Sequence, residues 1–165
     1  MMKKYKLKTQ DTAYFSLAIH GGASHDKSSN LSTSVRKNKK MVLSQSLEAG
    51  YQILQEGGSS LDAVQAAVIV LEDSEYFNAG KGAVLTKDKT VELDASLMSS
   101  DSRAVYLGFP LEEAAFRAIF EELASVGGQG GLIALDAQGH CVMPFSTLSM
   151  SRGYWQAGGN PMVSL

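Results

Sequence analysis

Residues 76–98 read YFNAGKGAVLTKDKTVELDASLM, and apolar and polar side chains alternate on both sides of the Lys-Asp-Lys within this stretch. Leu85 lies before these three residues, and Val91, Leu93 and Ala95 follow them at every second position. Successive side chains of a β-strand point to opposite faces, so this spacing predicts a β-hairpin. The glycines at its start predict a turn that joins the hairpin to the preceding element.

Two helices are predicted upstream of this hairpin. The first runs from about Ser34 to Glu56, and two glycines end it because glycine accepts the left-handed conformation at a helix C-terminus. Ser59 and Asp62 resemble a capping box, which predicts the start of the second helix. The spacing of the apolar residues predicts the buried face of each helix. These faces are formed by Leu43, Leu47, Gly50 and Leu54 in the first helix and by Leu61, Val64, Val68 and Leu71 in the second.

Three more elements complete the predicted order. The apolar run at residues 14–19 predicts a buried strand that ends at the following His-Gly-Gly-Ala. Pro110 predicts the first turn of a third helix. Residues 132–145 predict a second hairpin with its turn at Asp-Ala-Gln-Gly. The core-facing stripe of the third helix is predicted to be Phe116, Ile119 and Leu123.

The predicted fold is therefore of the α/β (α+β) type. A mixed, partly antiparallel sheet of about five strands covered by three helices is the natural packing of this order of elements. The chain has 165 residues, which suits one domain with a substantial core. We place that domain at residues 14–165, after a charged tail at residues 1–13 that lacks the apolar core of a signal peptide.

Composition and short motifs exclude several classes of function. The net charge of −2 gives no electrostatic basis for binding nucleic acid or an anionic membrane surface. No run approaches the roughly 18 apolar residues that a membrane span needs. The single cysteine, Cys141, suits a reducing compartment, so we expect a cytoplasmic protein. His20 precedes two glycines but has no Gly-x-Ser-x-Gly partner motif, and the three histidines lack the spacing of a zinc site.

Several segments of the chain resemble the plant-type L-asparaginase and isoaspartyl peptidase family. They are AIHGGA (18–23), LQEGGSSLDAV (54–64), LEDSEYFNAGKGAVLT (71–86), VELDASLM (91–98) and GGQGGLIALDAQGHCVMPFSTLSM (127–150). This family belongs to the N-terminal-nucleophile hydrolases, so the resemblance implies a remnant of their αββα sandwich. Residues 14–98 resemble the N-terminal part of the family chain, and residues 107–155 resemble its C-terminal part.

The resemblance implies a reaction whose central residues are missing from this sequence. Family members cleave themselves to expose a threonine, whose hydroxyl attacks a side-chain or isoaspartyl amide with its own α-amino group as base. They carry this threonine in a Thr-Val-Gly motif and bind substrate through Thr-Gly-Gly and Arg-Val-Gly-Asp-Ser-Pro segments. None of these strings occurs here. We expect an internal shortening with its seam near residues 99–107, which removes the nucleophile.

Other hydroxyl and thiol groups in the sequence are candidates to replace the missing threonine. Gly58-Ser59 has the order of small residue and hydroxyl that self-cleavage needs, although the capping box predicts a helix cap there. Thr90 and Thr147 are further candidates for a displaced nucleophile. Cys141 lies within the second predicted hairpin, where we expect a buried and unreactive thiol.

One loop of the family is retained in full. In relatives, the loop matching LEDSEYFNAGK surrounds a sodium ion with backbone carbonyl groups, and carbonyl oxygens suit hard cations. The resemblance implies carbonyl ligands from Leu71, Glu72, Ser74, Phe77, Ala79 and Lys81. It also implies that Asn78 would lie near the nucleophile of an intact relative. No other cofactor is expected.

Three hypotheses about function remain open. In the first hypothesis, the chain is an active amidohydrolase that cleaves L-asparagine or β-aspartyl peptides through a displaced serine or threonine. Alternatively, it is catalytically inactive and forms a homodimer or a heterodimer with a full-length relative. The third hypothesis is that the chain does not fold stably alone, because removing the centre of a sandwich exposes apolar sheet faces and strand edges. We favour the inactive protein.

Overall fold

The computed structural model describes residues 15–97, 109–136 and 138–165. The predicted tail and the seam near residues 99–107 lie outside the described residues. The strands are β1 (Ser16–Ser24), β2 (Ala134–Leu135), β3 (Cys141–Val142), β4 (Ser149–Gln156) and β5 (Met162–Ser164). The helices are α1 (Thr33–Gln55), α2 (Ser60–Glu72) and α3 (Leu111–Arg117), and α3 continues through a π-helical segment (Ala118–Glu122) into a last turn (Leu123–Ser125). Short 3₁₀ turns lie at Ser28–Asn30 and Gly80–Gly82.

Helices α1 and α2 form the antiparallel pair that the sequence predicts. Ser32 caps α1 by accepting a hydrogen bond from the backbone N–H of Val35. On its buried face, Leu43 and Leu47 are completely shielded from solvent, as predicted. Gly50 lies at the closest approach to α2, since a Cβ there would come within 2.7 Å of the carbonyl oxygen of Ala63. The glycine is therefore required by the packing of the two helices.

The buried face of α2 is only partly as predicted. Ser59 caps the helix as predicted, with the Asp62 carboxylate bonded to the hydroxyl of Ser59. Leu71 is buried as predicted, but Val68 is 49% exposed, whereas Ala63 and Ala67 are fully buried. The reason is the close approach at Gly50, which leaves room for alanine methyl groups but not for larger side chains. Helix α2 turns its alanine face towards α1, and Val68 points outward.

The main sheet has three antiparallel strands in the order β1-β4-β5. Strand β1 was predicted to end at residue 19, but it runs on through the following glycines to Ser24 with an irregularity in register between His20 and Ala23. Strands β4 and β5 were not predicted. Leu17 and Ile19 point from β1 into the core formed with α1 and α2, so the buried character of the predicted strand is confirmed.

The second hairpin is confirmed, although each of its strands has only two residues. Strand β2 pairs with β3, and the carboxylate of Asp136 accepts hydrogen bonds from the backbone N–H groups of Gln138 and His140 in the turn. The hairpin contacts β1 on one side and α3 on the other. The layers are therefore α1 and α2, the three-stranded sheet, the hairpin and the third helix, which is a mixed α+β fold consistent with a remnant of the αββα sandwich.

The first predicted hairpin is not formed, and this is the main correction to the sequence prediction. Residues 83–97 lie outside every helix and strand, and they are largely exposed. A turn does form, because the N–H of Thr86 donates to the carbonyl of Thr90. In an antiparallel ladder the next rung of this type would join Val84 and Glu92. The N–H of Val84 instead donates to Oδ1 of Asn78 at 2.9 Å, so the hairpin stops after its turn. The five strands thus form two small antiparallel sheets and not one mixed sheet.

The stripe predicted for the third helix is only partly right. Ile119 is buried as predicted, but Phe116 is 53% exposed and Ala115 is buried in its place. Phe116 lies on the outer surface against Phe120, with ring centroids 4.6 Å apart. The π-helical segment begins one residue after Arg117 and changes the number of residues per turn, so a strict helical period does not describe this face. No helix within the described residues is long and apolar enough to cross a membrane.

Candidate functional site

The loop that follows α2 folds tightly around two glycines. A Cβ at Gly80 would contact the carbonyl oxygen of Glu72, and Gly80 itself has a positive φ of 49°. A Cβ at Gly82 would contact the carbonyl oxygen of Phe77 and would lie 2.8 Å from that of Ser74. Only glycine fits such close backbone contacts without displacing the chain. The loop geometry therefore depends on both glycines.

These contacts, together with backbone hydrogen bonds, locate five of the six carbonyl groups implied by the family loop, all but that of Lys81. The carbonyls of Ser74 and Phe77 approach the same point beside Gly82, and that of Glu72 faces Gly80. Two others accept backbone hydrogen bonds at the end of α2 or within the loop, Leu71 from Ser74 and Ala79 from Gly82, and the carbonyl of Phe77 also accepts from Ala79. A carbonyl oxygen has two lone pairs, so one such bond still leaves it able to bind a cation. The donor set fits a sodium ion in its chemistry, since it consists of backbone oxygens.

The side chain of Lys81 points away from these carbonyl groups. Its Nζ lies 2.8 Å from Oδ1 of Asp73, and both side chains are more than half exposed. An exposed ion pair of this kind contributes little to stability. It does keep the positive charge of Lys81 paired on the outside of the loop. Among the described residues, no group of three or more His, Cys, Asp or Glu side chains could hold a metal ion.

Asn78 lies at the rim of a cleft of about 380 Å³ between this loop and the ends of β1 and β4. The cleft has walls from several elements: Gly21 and Gly22 of β1, Ser149 and Ser151 of β4, and Lys39 of α1. Gly21 is required here, because a Cβ would lie 2.7 Å from the ring of Phe77. The fold thus brings the family-matched Asn78 together with residues that are distant in sequence.

Charged groups of both signs line this cleft. Lys27 and Lys39 provide positive charge, and Asp26 and Glu75 provide negative charge. Lys39 lies over the ring of Phe77, with its Nζ 4.9 Å from the ring centroid. Burial lowers the pKa of Lys39 from its ordinary value. The cleft could bind a small polar molecule. Because its two positive and two negative side chains balance, its net charge favours neither an anionic nor a cationic ligand.

The hydroxyl candidates from the sequence are all engaged in local structure. Ser59 caps α2, since its Oγ accepts from the N–H of Asp62 and donates to the Asp62 carboxylate at 2.7 Å. Thr90 holds the turn with Thr86, their hydroxyl oxygens being 2.8 Å apart. The hydroxyl of Thr147 donates to the carbonyl of Ser149. None of these three residues is among those that line the cleft beside Asn78.

Four serines that sequence reasoning missed line the cleft, namely Ser24, Ser28, Ser149 and Ser151, and only Ser151 is buried. Ser151 is buried on β4, and its Cβ lies close to Gly21. The sequence did not indicate a role for Ser151, because strand β4 was not predicted and Ser151 does not follow a glycine, as a self-cleaving hydroxyl residue would. Ser149, two residues earlier, donates from its hydroxyl to the carbonyl of Asp26 and ties β4 to the loop after β1.

Cys141 and His20 lie away from Asn78 and have structural surroundings. Cys141 is partly buried on β3, and burial raises the pKa of its thiol to about 11, which keeps it protonated and unreactive near neutral pH. The Nδ1 of His20 accepts a hydrogen bond from the N–H of Gly22 at 2.8 Å. Burial lowers the pKa of His20, and a hydrogen bond with the Gly131 backbone opposes this shift.

Comparison with known proteins identifies relatives of this chain. The family model described as asparaginase matches residues 13–106 and 102–165. The isoaspartyl peptidase of Escherichia coli strain K12 is 42% identical over 86 residues, which are 52% of this chain and 27% of the relative. The human isoaspartyl peptidase/L-asparaginase is 44% identical over 82 residues, which are 50% of this chain and 25% of the relative. The bovine protein of that name is 42% identical over 83 residues, or 50% of this chain and 26% of the relative.

The aligned residues span only about a quarter of the length of these curated relatives. The family model, in contrast, matches both parts of the chain, on either side of the predicted seam. The match to the family model includes the 71–81 loop, Asn78 and the second hairpin. The chain belongs to the asparaginase family.

Proposed function

We propose that this chain is a catalytically inactive member of the asparaginase family that acts by binding an intact relative. The observation that carries this proposal is the composition of the cleft beside Asn78. The residues described as lining it include serines but no threonine, and Oδ1 of Asn78 is occupied by the backbone N–H of Val84. An N-terminal-nucleophile reaction needs an activated hydroxyl with a base within hydrogen-bond reach. The missing Thr-Val-Gly, Thr-Gly-Gly and Arg-Val-Gly-Asp-Ser-Pro segments support the same conclusion. The single Cys141 suits a cytoplasmic setting.

The test measures ammonia release from L-asparagine and aspartate release from a β-aspartyl dipeptide, using chain that melts cooperatively. We expect no turnover above a heat-killed sample. Turnover would contradict the proposal and favour the displaced-nucleophile alternative. In that case Ser151→Ala is the decisive variant, because Ser151 is the buried hydroxyl in the cleft, and Ser59→Ala is its matched control outside the cleft.

Binding to a relative is tested separately by co-expression with a tagged full-length isoaspartyl peptidase. The inactive chain is expected to co-purify with the tagged protein in a fixed ratio. If the chain is strictly monomeric and fails to co-purify, the proposal that it binds an intact relative is contradicted. The alternative in which the chain cannot fold alone predicts a broad, uncooperative melt.

We also propose that the 71–81 loop binds a sodium ion through the backbone carbonyls implied by the family. The convergence of the Ser74, Phe77 and Glu72 carbonyls around the two glycines supports this. Bound ion would stabilise the folded state alone, so the Tm should be higher in sodium chloride than in choline chloride at equal ionic strength. Equal melting temperatures in the two salts would contradict sodium binding.

A further inference from the structure

Residues 91–97 carry the pattern of a β-strand but have no strand partner among the described residues. All seven are exposed, and the exposed apolar side chains alternate with acidic or polar ones. One face of this pattern is formed by Val91, Leu93, Ala95 and Leu97, and the other by Glu92, Asp94 and Ser96. We call residues 91–97 the open arm.

Asn78 occupies the backbone N–H that the next rung of the hairpin would use. It accepts the N–H of Val84, which the hairpin would otherwise use to bind the open arm beyond the Thr86–Thr90 turn. Among the described residues, no backbone hydrogen bond joins the arm to another segment, so its backbone donors and acceptors could pair with an incoming strand. Adding a strand to an unpaired segment of this kind is a common mode of peptide recognition, in which the main chain gives affinity and pockets for alternate side chains give specificity.

A cavity of about 510 Å³ lies between the end of the arm and the outward face of α2. The arm lines it with Ala95, Ser96 and Leu97, and α2 contributes the polar side chains of Gln65 and Glu72 besides apolar ones. Val64, Val68 and Ile69 line it, and the last two are about half exposed. An apolar side chain of an incoming strand would bury against these residues, which α2 leaves exposed because its alanine face packs on α1.

The charges of the arm determine which strand fits. Glu92 and Asp94 are exposed on its polar face, and opposite charges across a strand pair are favourable whereas like charges repel. If two copies of this chain paired antiparallel about Leu93, Glu92 of one would face Asp94 of the other. Pairing centred on Glu92 or on Asp94 would place identical carboxylates opposite each other. In these three registers a second copy of the chain is therefore a poorer partner than a strand that carries basic residues.

We infer that the open arm is a docking site for a β-strand of another protein, in which apolar residues alternate with lysine or arginine. The arm becomes an ordered strand on binding, the partner's apolar residues enter the cavity beside α2, and its basic residues pair with Glu92 and Asp94. This inference deepens the proposed function, because it rests on the proposal that the chain acts by binding a protein. It does not require that the partner be an intact relative.

The test uses a labelled seven-residue peptide that alternates lysine and valine, with fluorescence anisotropy as the readout. A peptide with glutamate in place of lysine and a scrambled lysine–valine peptide are the ligand controls. We expect the alternating lysine peptide to bind at least about tenfold more tightly than either control, with affinity falling as salt is added. Equal binding of the alternating and scrambled peptides, or of the lysine and glutamate peptides, would overturn the inference.

Leu93→Asp is the variant that should abolish this binding. Its matched control is Leu148→Asp, because Leu148 is also 59% exposed but lies outside the arm. We expect Leu93→Asp to weaken binding by at least about tenfold and Leu148→Asp to change it less than about twofold. Both variants should melt at the wild-type temperature, since the substituted side chains are exposed. Equal effects of the two variants would overturn the inference.

Two further outcomes separate this inference from the other proposals. A concentration-dependent dimer that Leu93→Asp dissociates would show that a second copy covers the arm, and would overturn the basic-strand partner. Co-purification with a full-length relative that survives Leu93→Asp, together with no peptide binding, would overturn only the docking site. Turnover of asparagine would contradict the proposed inactivity, and the peptide-binding test of the open arm would still stand.

Discussion

At the scale of single residues, the capping hydroxyl of Ser59 has the clearest energetic role. Its oxygen accepts a hydrogen bond from the N–H of Asp62, and the hydroxyl donates to the Asp62 carboxylate, in the turn between the two helices of the core. Ser59→Ala should lower the free energy of unfolding by about 1 kcal/mol, because a helix donor loses its partner. Urea denaturation measures this change.

Ser59→Asn is the matched control, since asparagine is also a good capping residue. It should retain most of the wild-type stability. An alanine variant as stable as the asparagine variant would show that the cap contributes little. In that case the hydroxyl of Ser59 would have a role other than capping the helix.

His20 should make stability depend on pH in the mildly acidic range. Burial lowers its folded-state pKa below the ordinary value of about 6.5, and Arg152 lies opposite it on β4. The unfolded chain then binds a proton more readily than the folded chain. Stability should therefore fall as the pH drops below about 6.5 and should stop falling below the folded pKa.

The measurement is the free energy of unfolding of wild type and His20→Asn between neutral pH and pH 5. Asparagine can still accept the N–H of Gly22 but does not titrate, so this variant should lose less stability on acidification. If the free energy of unfolding of His20→Asn falls with pH as steeply as that of the wild type, groups other than His20 cause the acid sensitivity.

At the scale of elements, Asn78 decides between a hairpin and an open arm. Asn78→Ala removes the acceptor that holds the N–H of Val84, so this N–H becomes available to the carbonyl of Glu92. We expect the hairpin to extend beyond its turn in this variant. Amide hydrogen exchange should then show increased protection at Val84 and Glu92.

Asn78→Asp is the control for this prediction, because a carboxylate can accept the same hydrogen bond. It should leave the exchange of Val84 as in the wild type. If Asn78→Ala speeds exchange at Val84 and gives no protection at Glu92, the side chain merely orders its own loop. The open state of the arm would then need another explanation.

The same elements show what the sequence could and could not predict. Local signals were sufficient for α1, α2, the capping box and the second hairpin, because each depends on neighbours a few residues apart. The alternation at residues 83–97 also predicts a strand, but its pairing is decided by Asn78, which periodicity does not reveal. Val68 was wrongly assigned to the buried face of α2 for a similar reason, since the contact between Gly50 and Ala63 involves two different helices.

The candidate site shows the same limit. The resemblance located Asn78 and the 71–81 loop, because both lie in one continuous matching segment. Ser151 and Lys39 were missed as cleft residues, since β4 and α1 reach the cleft only through tertiary packing. A strand that contains Gly153 and starts with small polar residues also gave too weak an alternation to be predicted.

At the scale of the whole molecule, the question is whether four layers still unfold as one unit. Met150 on β4 is fully buried, and a Cβ at Gly131 would contact its sulfur, so this side chain joins the main sheet to the segment that leads into the second hairpin. Met150→Ala should lower the free energy of unfolding by about 2–5 kcal/mol through the cavity that it leaves. Met162→Ala on β5 should have little effect, since that side chain is 53% exposed.

Two probes can follow this unfolding in different layers. Trp155 is the only tryptophan and stacks on Tyr51 of α1, with ring centroids 3.9 Å apart, so its fluorescence reports on the helix–sheet interface. Far-ultraviolet circular dichroism reports on all helices, including the third. If the layers form one cooperative domain, both probes should give the same midpoint in the wild type, and Met150→Ala should shift both by the same amount. Separate midpoints would mean that the hairpin and third helix unfold independently, as expected if the shortened sandwich needs a partner to hold its layers together.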